Sequence, residues 1–187
     1  TPKINLGLNV LRRRPDGFHD LHTAFYPVHS MWDTLTIERS DSFRIEVPGA
    51  GWDPQTDLCA KAYRLLSDEF PQVGPVSIHL DKGIPVGAGL GGGSSDAAQT
   101  LMALNCLFDL RLTGAELAAR AAKLGSDCAF FVYDTPMFAE GRGEVLSPVS
   151  LDLDDYDIEI EMPEGVHVST AEAYGGIVPC EKRETPL

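Results

Sequence analysis

The sequence has 187 residues, which is enough for one good hydrophobic core or for one domain and part of a second. Its formal net charge of −13 and pI of about 4.6 argue against nucleic-acid or anionic-membrane binding as the main activity. The chain has no apolar run of membrane-spanning length, no signal peptide, no C-x-x-C pair and no histidine at metal-ligand spacing, so we expect a cytoplasmic protein with reduced cysteines.

The first part of the chain is predicted to be rich in strands. Residues 4–11 alternate between apolar and polar side chains and end at a Pro-Asp-Gly turn, residues 15–17. Further strands are predicted over residues 25–28, 33–38 and 43–47. A helix is predicted over residues 58–70, because apolar side chains recur there at helical spacing.

Helices dominate the second part. The strand 76–80 leads into a glycine-rich segment, after which a helix is predicted over 95–110. Thr113 and Glu116 have the spacing of a capping box that opens another helix, ending at Leu124. Residues 130–133 and 156–162 are predicted as strands, and the acidic run 152–157 as a solvated connection. Strands first and helices later, with no internal repeat, favour an α+β fold over a doubly wound sheet.

The segment from Pro85 to Ala98 is the most informative part of the chain. It is rich in glycine, continues with two serines and lies between an apolar strand and an amphipathic helix. Glycine allows successive backbone N–H groups to converge on an oxyanion, because no Cβ blocks close approach or positive φ. A helix beginning near Ser94 adds unpaired N–H donors and the positive end of its dipole. The flanking elements fit a flexible linker poorly, so the segment predicts a phosphate-binding loop.

Three kinds of phosphate loop compete for this segment. Residues 87–92 satisfy the dinucleotide pattern G-x-G-x-x-G, but the first glycine does not follow directly on the strand. The acid nearest the distance that this pattern requires, Asp109, lies where a helix ends. The Walker A pattern needs a lysine after the glycines, and none is present. The remaining pattern, P-x-x-x-G-L-G-x-x-S-S-x-A-A, resembles the ATP loop of the GHMP kinases.

Other segments narrow this resemblance within the GHMP kinases. The chain resembles the branch of these kinases that phosphorylates a cytidine diphosphate-linked methylerythritol on the non-mevalonate (MEP) route to isoprenoids. The segments that carry the resemblance follow one another in the same order as in that branch, and they are residues 2–9 with 14–21, 124–131 and 138–144. The resemblance implies transfer of a phosphoryl group from ATP, with Mg²⁺, to the 2-hydroxyl of that small-molecule substrate. Two alternatives are a GHMP kinase for another small alcohol and a non-catalytic nucleotide-binding module.

The resemblance also implies a domain organisation. Residues 1–148 correspond to the N-terminal, ATP-binding domain of a GHMP kinase, a sheet with helices packed on one face. Residues 149–187 correspond to a linker and the beginning of a second α/β domain. Members of the family are longer and carry a third glycine-rich motif in that domain, so we expect this sequence to be part of a longer protein.

Asp127 and Lys3 are the candidate catalytic residues. Phosphoryl transfer to an alcohol needs the nucleophile in line, charge stabilisation and an acceptor for the hydroxyl proton. Asp127 lies among apolar residues and, from spacing alone, could equally be an N-cap of the segment that follows. Lys3, from sequence alone, is more simply a solvated charge at a strand end. The resemblance assigns the proton acceptor to Asp127, and to Lys3 the stabilisation of the developing alkoxide.

The nucleotide is expected to bind at the glycine-rich segment. The residues assigned to it are Lys82, Pro85, Val86, Gly87, Ala88, Gly89, Leu90, Gly91, Gly92, Gly93, Ser94 and Ser95. By resemblance a hydroxyl here contacts Mg²⁺ or a phosphate oxygen, and Ser95 is the first choice as metal ligand. Either serine could instead be the N-cap of the helix, and Lys82 could be a solvated turn lysine.

Phe18 and His19 are the candidate cytidine site. An aromatic ring can stack on a pyrimidine while the neighbouring imidazole reads its edge, whereas a lone His19 would more simply be a surface residue. The family usually has tyrosine at the position of Phe18, so this chain keeps the ring and lacks one hydroxyl. Asn5 and Thr170 are further, weaker substrate-binding candidates, and the other histidines have no assigned role.

Overall fold

Seven strands form two separate sheets in the computed structural model, which describes residues 1–162 and 170–180. The strands are β1 (Lys3–Arg13), β2 (His19–Pro27), β3 (Thr34–Arg39), β4 (Arg44–Glu46), β5 (Val76–Asp81), β6 (Met137–Glu140) and β7 (Val145–Pro148). The larger sheet has the order β1-β2-β6-β7, and all its neighbours are antiparallel. The smaller sheet has the order β3-β5-β4, in which β4 runs parallel to β5.

The helices follow the early strands, as the sequence pattern predicts. They are α1 (Leu58–Glu69), α2 (Gly92–Leu107), α3 (Gly114–Leu124), the single turn α4 (Phe130–Tyr133) and α5 (Thr170–Gly175). The predicted capping box is present, because the Thr113 hydroxyl accepts from Glu116 N and the Glu116 carboxylate accepts from Thr113 N. The α+β fold class is confirmed. The described strands nevertheless form two sheets, where the resemblance implied one.

Helix α2 belongs to both hydrophobic clusters and is thereby fixed in place. Leu101 and Leu104 pack with the smaller sheet, α1 and α3, in a cluster that includes Ile78 and Leu80. Ala98, on another side of α2, packs in a second cluster with apolar residues of the larger sheet and α4. Since the glycine-rich segment runs directly into α2, the two cores together fix the position at which that segment ends.

The predicted strand at residues 130–133 is wrong, because these residues form α4. Phe130 and Phe131 are consecutive and both buried, which a one-sided strand does not allow and a helical turn between two cores does. Asp134 ends the turn in the left-handed region, and its N–H donates to the carbonyl of Phe130. An apolar run of four residues is too short for its periodicity to distinguish a strand from a helical turn.

The predicted strand at residues 156–162 is also wrong. Ile158 and Ile160 are half-buried between exposed acids, so the alternation that suggested a strand exists in the structure. No described strand pairs with this segment, however, and a strand requires a partner backbone for its hydrogen bonds. The structure also contains the hairpin β6–β7, where no strand was predicted from the sequence.

Candidate active site

The glycine-rich segment forms the wall of a cavity of about 310 Å³ between β5 and α2. Gly87, Gly89 and Gly91 have φ angles of 75°, 75° and 73°, in the left-handed region that other residues avoid. A Cβ at Gly89 would meet open space, so the backbone itself lines the cavity there. Alternating positive φ along a loop turns backbone N–H groups toward a common concavity, which is the arrangement of an anion-binding nest.

Helix α2 begins at Gly92, two residues before the predicted start near Ser94, and its N-cap is Gly91, so the alternative that a serine is the N-cap is wrong. No side chain of residues 1–162 or 172–180 caps this end of the helix. The first-turn N–H groups are therefore available to a ligand in the cavity, together with the positive end of the helix dipole. The helix terminus and the loop present one continuous surface for phosphate oxygens.

The two serines of the first turn have different environments. Ser94 lines the cavity, whereas Ser95 is 1% exposed and its hydroxyl accepts a hydrogen bond of 3.2 Å from the amino group of Thr1. The geometry thus brings Ser94, and not Ser95, to the position where a metal–phosphate complex would bind. The assignment of Ser95 as metal ligand stays a prediction, and the cavity favours its neighbour.

Lys82 lies beside this cavity but is held by two buried carboxylates. Its Nζ donates to Asp33 Oδ2 and, at 2.6 Å, to Asp96 Oδ2, and the two carboxylate side chains are 2% and 6% exposed. Asp33 Oδ1 also accepts from the backbone N–H groups of Gly83 and Ile84, both at 2.7 Å. Asp33 thus fixes the approach to the glycine loop and, with Asp96, compensates the charge of Lys82, which is not a solvated turn lysine. Lys82 lines the cavity, and its assignment to the nucleotide stays a prediction.

The carboxylates of this cluster have opposite pKa shifts. Burial would raise the pKa of Asp33, but the hydrogen bonds from Ile84 N and Lys82 outweigh it and lower that pKa. Burial dominates at Asp96 and raises its pKa to about 7, against the attraction of Lys82. Burial would lower the pKa of Lys82, but its two carboxylate partners raise it. Because the two carboxylates share one ammonium, Asp96 is the carboxylate of this cluster whose protonation changes near pH 7.

Asp96→Asn is expected to change how stability depends on pH. The ordinary pKa of Asp96 is 3.8 and its folded value is about 7, so the folded state binds more protons between these values. The stability contributed by Asp96 is therefore fully present below the ordinary pKa and is lost as pH rises through about 7. The free energy of unfolding of the wild type, relative to Asp96→Asn, should fall by up to about 1.4 kcal/mol per pH unit over this window. Urea unfolding of both proteins between about pH 5 and pH 8 measures it.

The matched control is Asp109→Asn, which removes an exposed carboxylate whose ion-pair partner among the described residues is Arg111. Its stability should differ from that of the wild type by a constant, small amount across the same pH range. Parallel curves for the wild type and Asp96→Asn would mean that Asp96 does not titrate in this window.

Lys3 and Asp127 form an ion pair at the second candidate site. Lys3 Nζ lies 3.1 Å from Asp127 Oδ2, and the two side chains are 6% and 32% exposed. The ammonium also donates to Asn5 Oδ1 and lies 4.6 Å from the centroid of the Phe25 ring. Lys3 is the first residue of β1, and its N–H donates to the carbonyl of Leu90 at 2.8 Å, which ties this strand to the glycine loop. The predicted catalytic pair is therefore brought together.

A large cavity of about 1380 Å³ connects this pair with the rest of the predicted site. Its wall includes residues 86–89 of the glycine loop at one side and Phe18 and His19 at the other, with Lys3 and Asp127 also on the wall. A ligand that spans the cavity can therefore contact the loop, the ion pair and the aromatic residue together. No membrane-spanning helix and no cluster of three or more metal-ligating side chains occurs within residues 1–162 and 170–180.

The structure places the two weaker substrate-binding candidates, Asn5 and Thr170, differently. Asn5 lines the large cavity, but its amide is occupied, accepting from Lys3 and donating at 3.2 Å to Thr23 Oγ1. It therefore orients the lysine. Thr170 is the first residue of α5, and its side chain lies outside the part of the chain that the structure describes. Both remain predictions as substrate ligands.

Four residues of the site were missed in the sequence analysis. Tyr174 stacks on the ring of His19, with centroids 5.4 Å apart and planes at 28°, and Arg142 lies 4.9 Å above the ring of Phe18. Asp33 and Asp96 bind Lys82. Two of them carried a signal: Asp96 directly follows the two serines of the loop, and Arg142 lies in the segment 138–144 that resembles the kinase family. Asp33 and Tyr174 are far from these segments along the sequence.

The comparisons with known proteins agree with this geometry. The family model for the GHMP kinases N terminal domain matches residues 57–135. A curated 4-diphosphocytidyl-2-C-methyl-D-erythritol kinase from Bacteroides thetaiotaomicron is 48% identical over 186 residues, covering 95% of this chain and 66% of the relative. One from Cytophaga hutchinsonii is 44% identical over 187 residues, with coverage of 97% and 67%. The chain belongs to the 4-diphosphocytidyl-2-C-methyl-D-erythritol kinase family.

A solved structure supports the same assignment. The crystal structure of a 4-(cytidine 5'-diphospho)-2C-methyl-D-erythritol kinase superposes with a TM-score of 0.67 at 34% identity, and the match covers 96% of this chain and 72% of that one. The chain spans about two thirds of the length of its curated relatives in the 4-diphosphocytidyl-2-C-methyl-D-erythritol kinase family.

Proposed function

We propose that this protein transfers the γ-phosphoryl group of ATP to the 2-hydroxyl of 4-diphosphocytidyl-2-C-methyl-D-erythritol, in isoprenoid precursor biosynthesis. The observation that carries the proposal is the Lys3–Asp127 ion pair, placed in one cavity with the glycine loop and the Phe18–His19 aromatic pair. A nucleotide-carrying alcohol and a phosphoryl donor need these three parts on one surface. The relatives and their family name support the same substrate.

The mechanism follows from what each part of the site can do. The loop N–H groups and the N-terminus of α2 bind the phosphates of ATP, and the aromatic rings of Phe18, His19 and Tyr174 bind the cytosine. The acceptor hydroxyl then lies near the ion pair. Its oxygen forms a bond to the γ-phosphorus, its proton passes to the Asp127 carboxylate, and ADP leaves. The Lys3 ammonium stabilises the negative charge that develops on the acceptor oxygen.

Mg²⁺ fits the donor set of the smaller cavity as a partner of the nucleotide. Mg²⁺ characteristically takes only one or two protein ligands and completes its octahedron with phosphate oxygens and water. Ser94 lies on the cavity wall beside the backbone cradle and is the residue that would hold it, although its side chain also hydrogen-bonds the Cys128 thiol. When bound, the ion would neutralise charge on the transferred phosphoryl group.

The domain division at residue 148 remains part of the proposal, as does a cytoplasmic location. Residues 1–148 contain all seven described strands and α1 to α4. Tyr174 lies beyond this boundary and contacts His19, so the segment after residue 148 contributes to the cytidine site.

A substrate panel tests the proposed reaction. ATP consumption is measured with the cytidylylated methylerythritol and, separately, with mevalonate, homoserine and galactose. Phosphorus NMR of the product then locates the new phosphate. Turnover confined to the cytidylylated substrate, with phosphate on its 2-oxygen, supports the proposal. Turnover of another alcohol would favour a different GHMP kinase, and ATP binding without turnover of any would favour a nucleotide-binding module.

A further inference from the structure

The turn between β6 and β7 presents Arg142 to the large cavity. Its flanking residues, Gly141 and Gly143, have φ angles of 67° and 111°, which make the turn tight. Within the turn, the N–H of Arg142 donates to Glu144 Oε2 at 2.6 Å. The backbone of Arg142 is therefore held, and its side chain lies on the cavity wall, one third exposed.

The guanidinium of Arg142 has an unused buried donor. Its carbon lies 4.9 Å from the centroid of the Phe18 ring, a stacking distance at which the flat cation covers one face of the ring. Nε is buried and has no hydrogen-bond partner among the described residues; its approach to Glu144 Oε1 is 3.5 Å. A buried N–H that lacks a partner is costly. The one third of the Arg142 side chain that is exposed lies on the cavity wall, where a ligand can meet it.

The turn lies between the two places where the ends of the proposed substrate would bind, so it faces the diphosphate that joins them. At one side the turn contacts the cytidine site, through Arg142 on Phe18. At the other side it borders the catalytic pair, since a Cβ on Gly143 would lie 3.5 Å from Asp127 Oδ1. If cytosine binds at Phe18 and the hydroxyl lies at Asp127, the diphosphate that joins them must cross this turn.

The charges of the cavity wall also favour Arg142 as the residue that binds a diphosphate. Lys3 is paired with Asp127 at 3.1 Å, whereas the contact of Arg142 with Glu144 is longer, at 3.5 Å, and leaves one third of the Arg142 side chain exposed. Arg13, at the exposed end of β1, is the other arginine that lines the cavity among the described residues. The protein carries a net charge of −13, so a diphosphate needs a local cation to enter. A guanidinium is the side chain best suited to this, because its planar fork matches two phosphate oxygens.

We propose that Arg142 binds the diphosphate of the substrate while its flat face supports the Phe18 ring, and thereby sets the preference for a nucleoside diphosphate-linked alcohol. The identity of the substrate rests on the proposed function. Arg142 contacts neither the transferred phosphoryl group nor the acceptor proton in this account, so it is a specificity residue.

Binding of cytidine 5'-diphosphate and of cytidine, each measured by calorimetry, tests the proposal without turnover. A non-hydrolysable ATP analogue is kept at saturation so that the glycine loop is occupied. The wild type should bind the diphosphate at least about tenfold more tightly than cytidine. Arg142→Gln should lose most of this preference, while Arg142→Lys, which keeps the charge without the fork, should retain part of it. Arg12→Gln, at an exposed arginine paired with Asp20, is the matched control and should behave as the wild type.

The outcomes separate this proposal from the proposed function. If Arg142→Gln weakens both ligands equally, Arg142 acts only through Phe18, and the diphosphate assignment is overturned. If it keeps the full preference of the wild type, the assignment is likewise overturned while the cytidylylated substrate stands. If the wild type binds neither ligand, the substrate proposed for the protein fails, and the role of Arg142 fails with it.

Discussion

Asp127→Asn is expected to lower kcat by about a hundredfold or more while ATP binding stays nearly unchanged. Asparagine has almost the same shape as aspartate but cannot accept the proton of the substrate hydroxyl. ATP is proposed to bind at the glycine loop and the N-terminus of α2. The Asp127 side chain makes none of its described hydrogen bonds or ion pairs with these two parts, so its replacement should leave them unchanged. The measurements are steady-state turnover with the cytidylylated substrate and calorimetry with a non-hydrolysable ATP analogue.

A second acid provides the control for this result. Asp157 is exposed and does not line either cavity described above, so Asp157→Asn removes the same charge without changing the site. Its turnover should match the wild type. Full activity of Asp127→Asn would remove this residue from the mechanism, and loss of ATP binding in that variant would mean that the carboxylate supports the fold instead.

The parts of the fold that were correctly predicted are those determined by local signals. The capping box at Thr113 and Glu116 fixes the start of α3 through contacts only three residues apart, and the helical spacing of α1 is visible in its own sequence. The strand predictions for residues 130–133 and 156–162 were wrong because the structure of these segments depends on residues distant in the sequence. Phe130 and Phe131 are both placed by the second hydrophobic cluster, among residues of β2, β6 and α2. Residues 156–162 have no strand beside them among the described residues.

The candidate site shows the same division. The glycine loop, Lys3 and Asp127 could be found because each lies in a segment that resembles a known kinase motif. Asp33 could not, since it lies 49 residues from Lys82 along the chain and meets it only after β3 and β5 pair. The same is true of Tyr174, which reaches His19 from α5. Arg142 lies in the segment 138–144 that resembles the family, but its contact with Phe18 follows only from the position of the β6–β7 turn. Sequence patterns reveal motifs, but the residues that contact a motif are brought to it by the pairing of strands and the packing of helices.

Gly91→Val is expected to abolish nucleotide binding, and the structure adds a reason that the sequence did not contain. Gly91 has φ of 73° as the N-cap of α2, a conformation that a β-branched residue strongly resists. A Cβ there would lie 2.8 Å from Phe131 Cζ and 3.3 Å from Lys3 Cγ. Any side chain at this position therefore pushes on the core and on Lys3 together, and displaces the helix end that is proposed to bind phosphate.

Alanine variants at three glycines separate the causes of this loss, because the valine variant could fail to fold. Gly49 has the same φ of 73° and Gly89 has 75°, and a Cβ would meet nothing within 4 Å at either. Gly49→Ala should lower the free energy of unfolding by about 1–2 kcal/mol, the cost of positive φ alone. Gly91→Ala should lose about 1–3 kcal/mol more through overpacking, and should bind the ATP analogue weakly.

Gly89→Ala should be as stable as Gly49→Ala and yet bind the ATP analogue at least about tenfold less tightly, because its new methyl group would stand in the cavity beside the phosphates. Urea unfolding and calorimetry on the three variants give both quantities. Equal stability of Gly91→Ala and Gly49→Ala would mean that Phe131 can move aside without cost. Unchanged nucleotide affinity in a folded Gly89→Ala protein would mean that the glycine loop is not the phosphate site, since the added methyl group meets no other part of the protein.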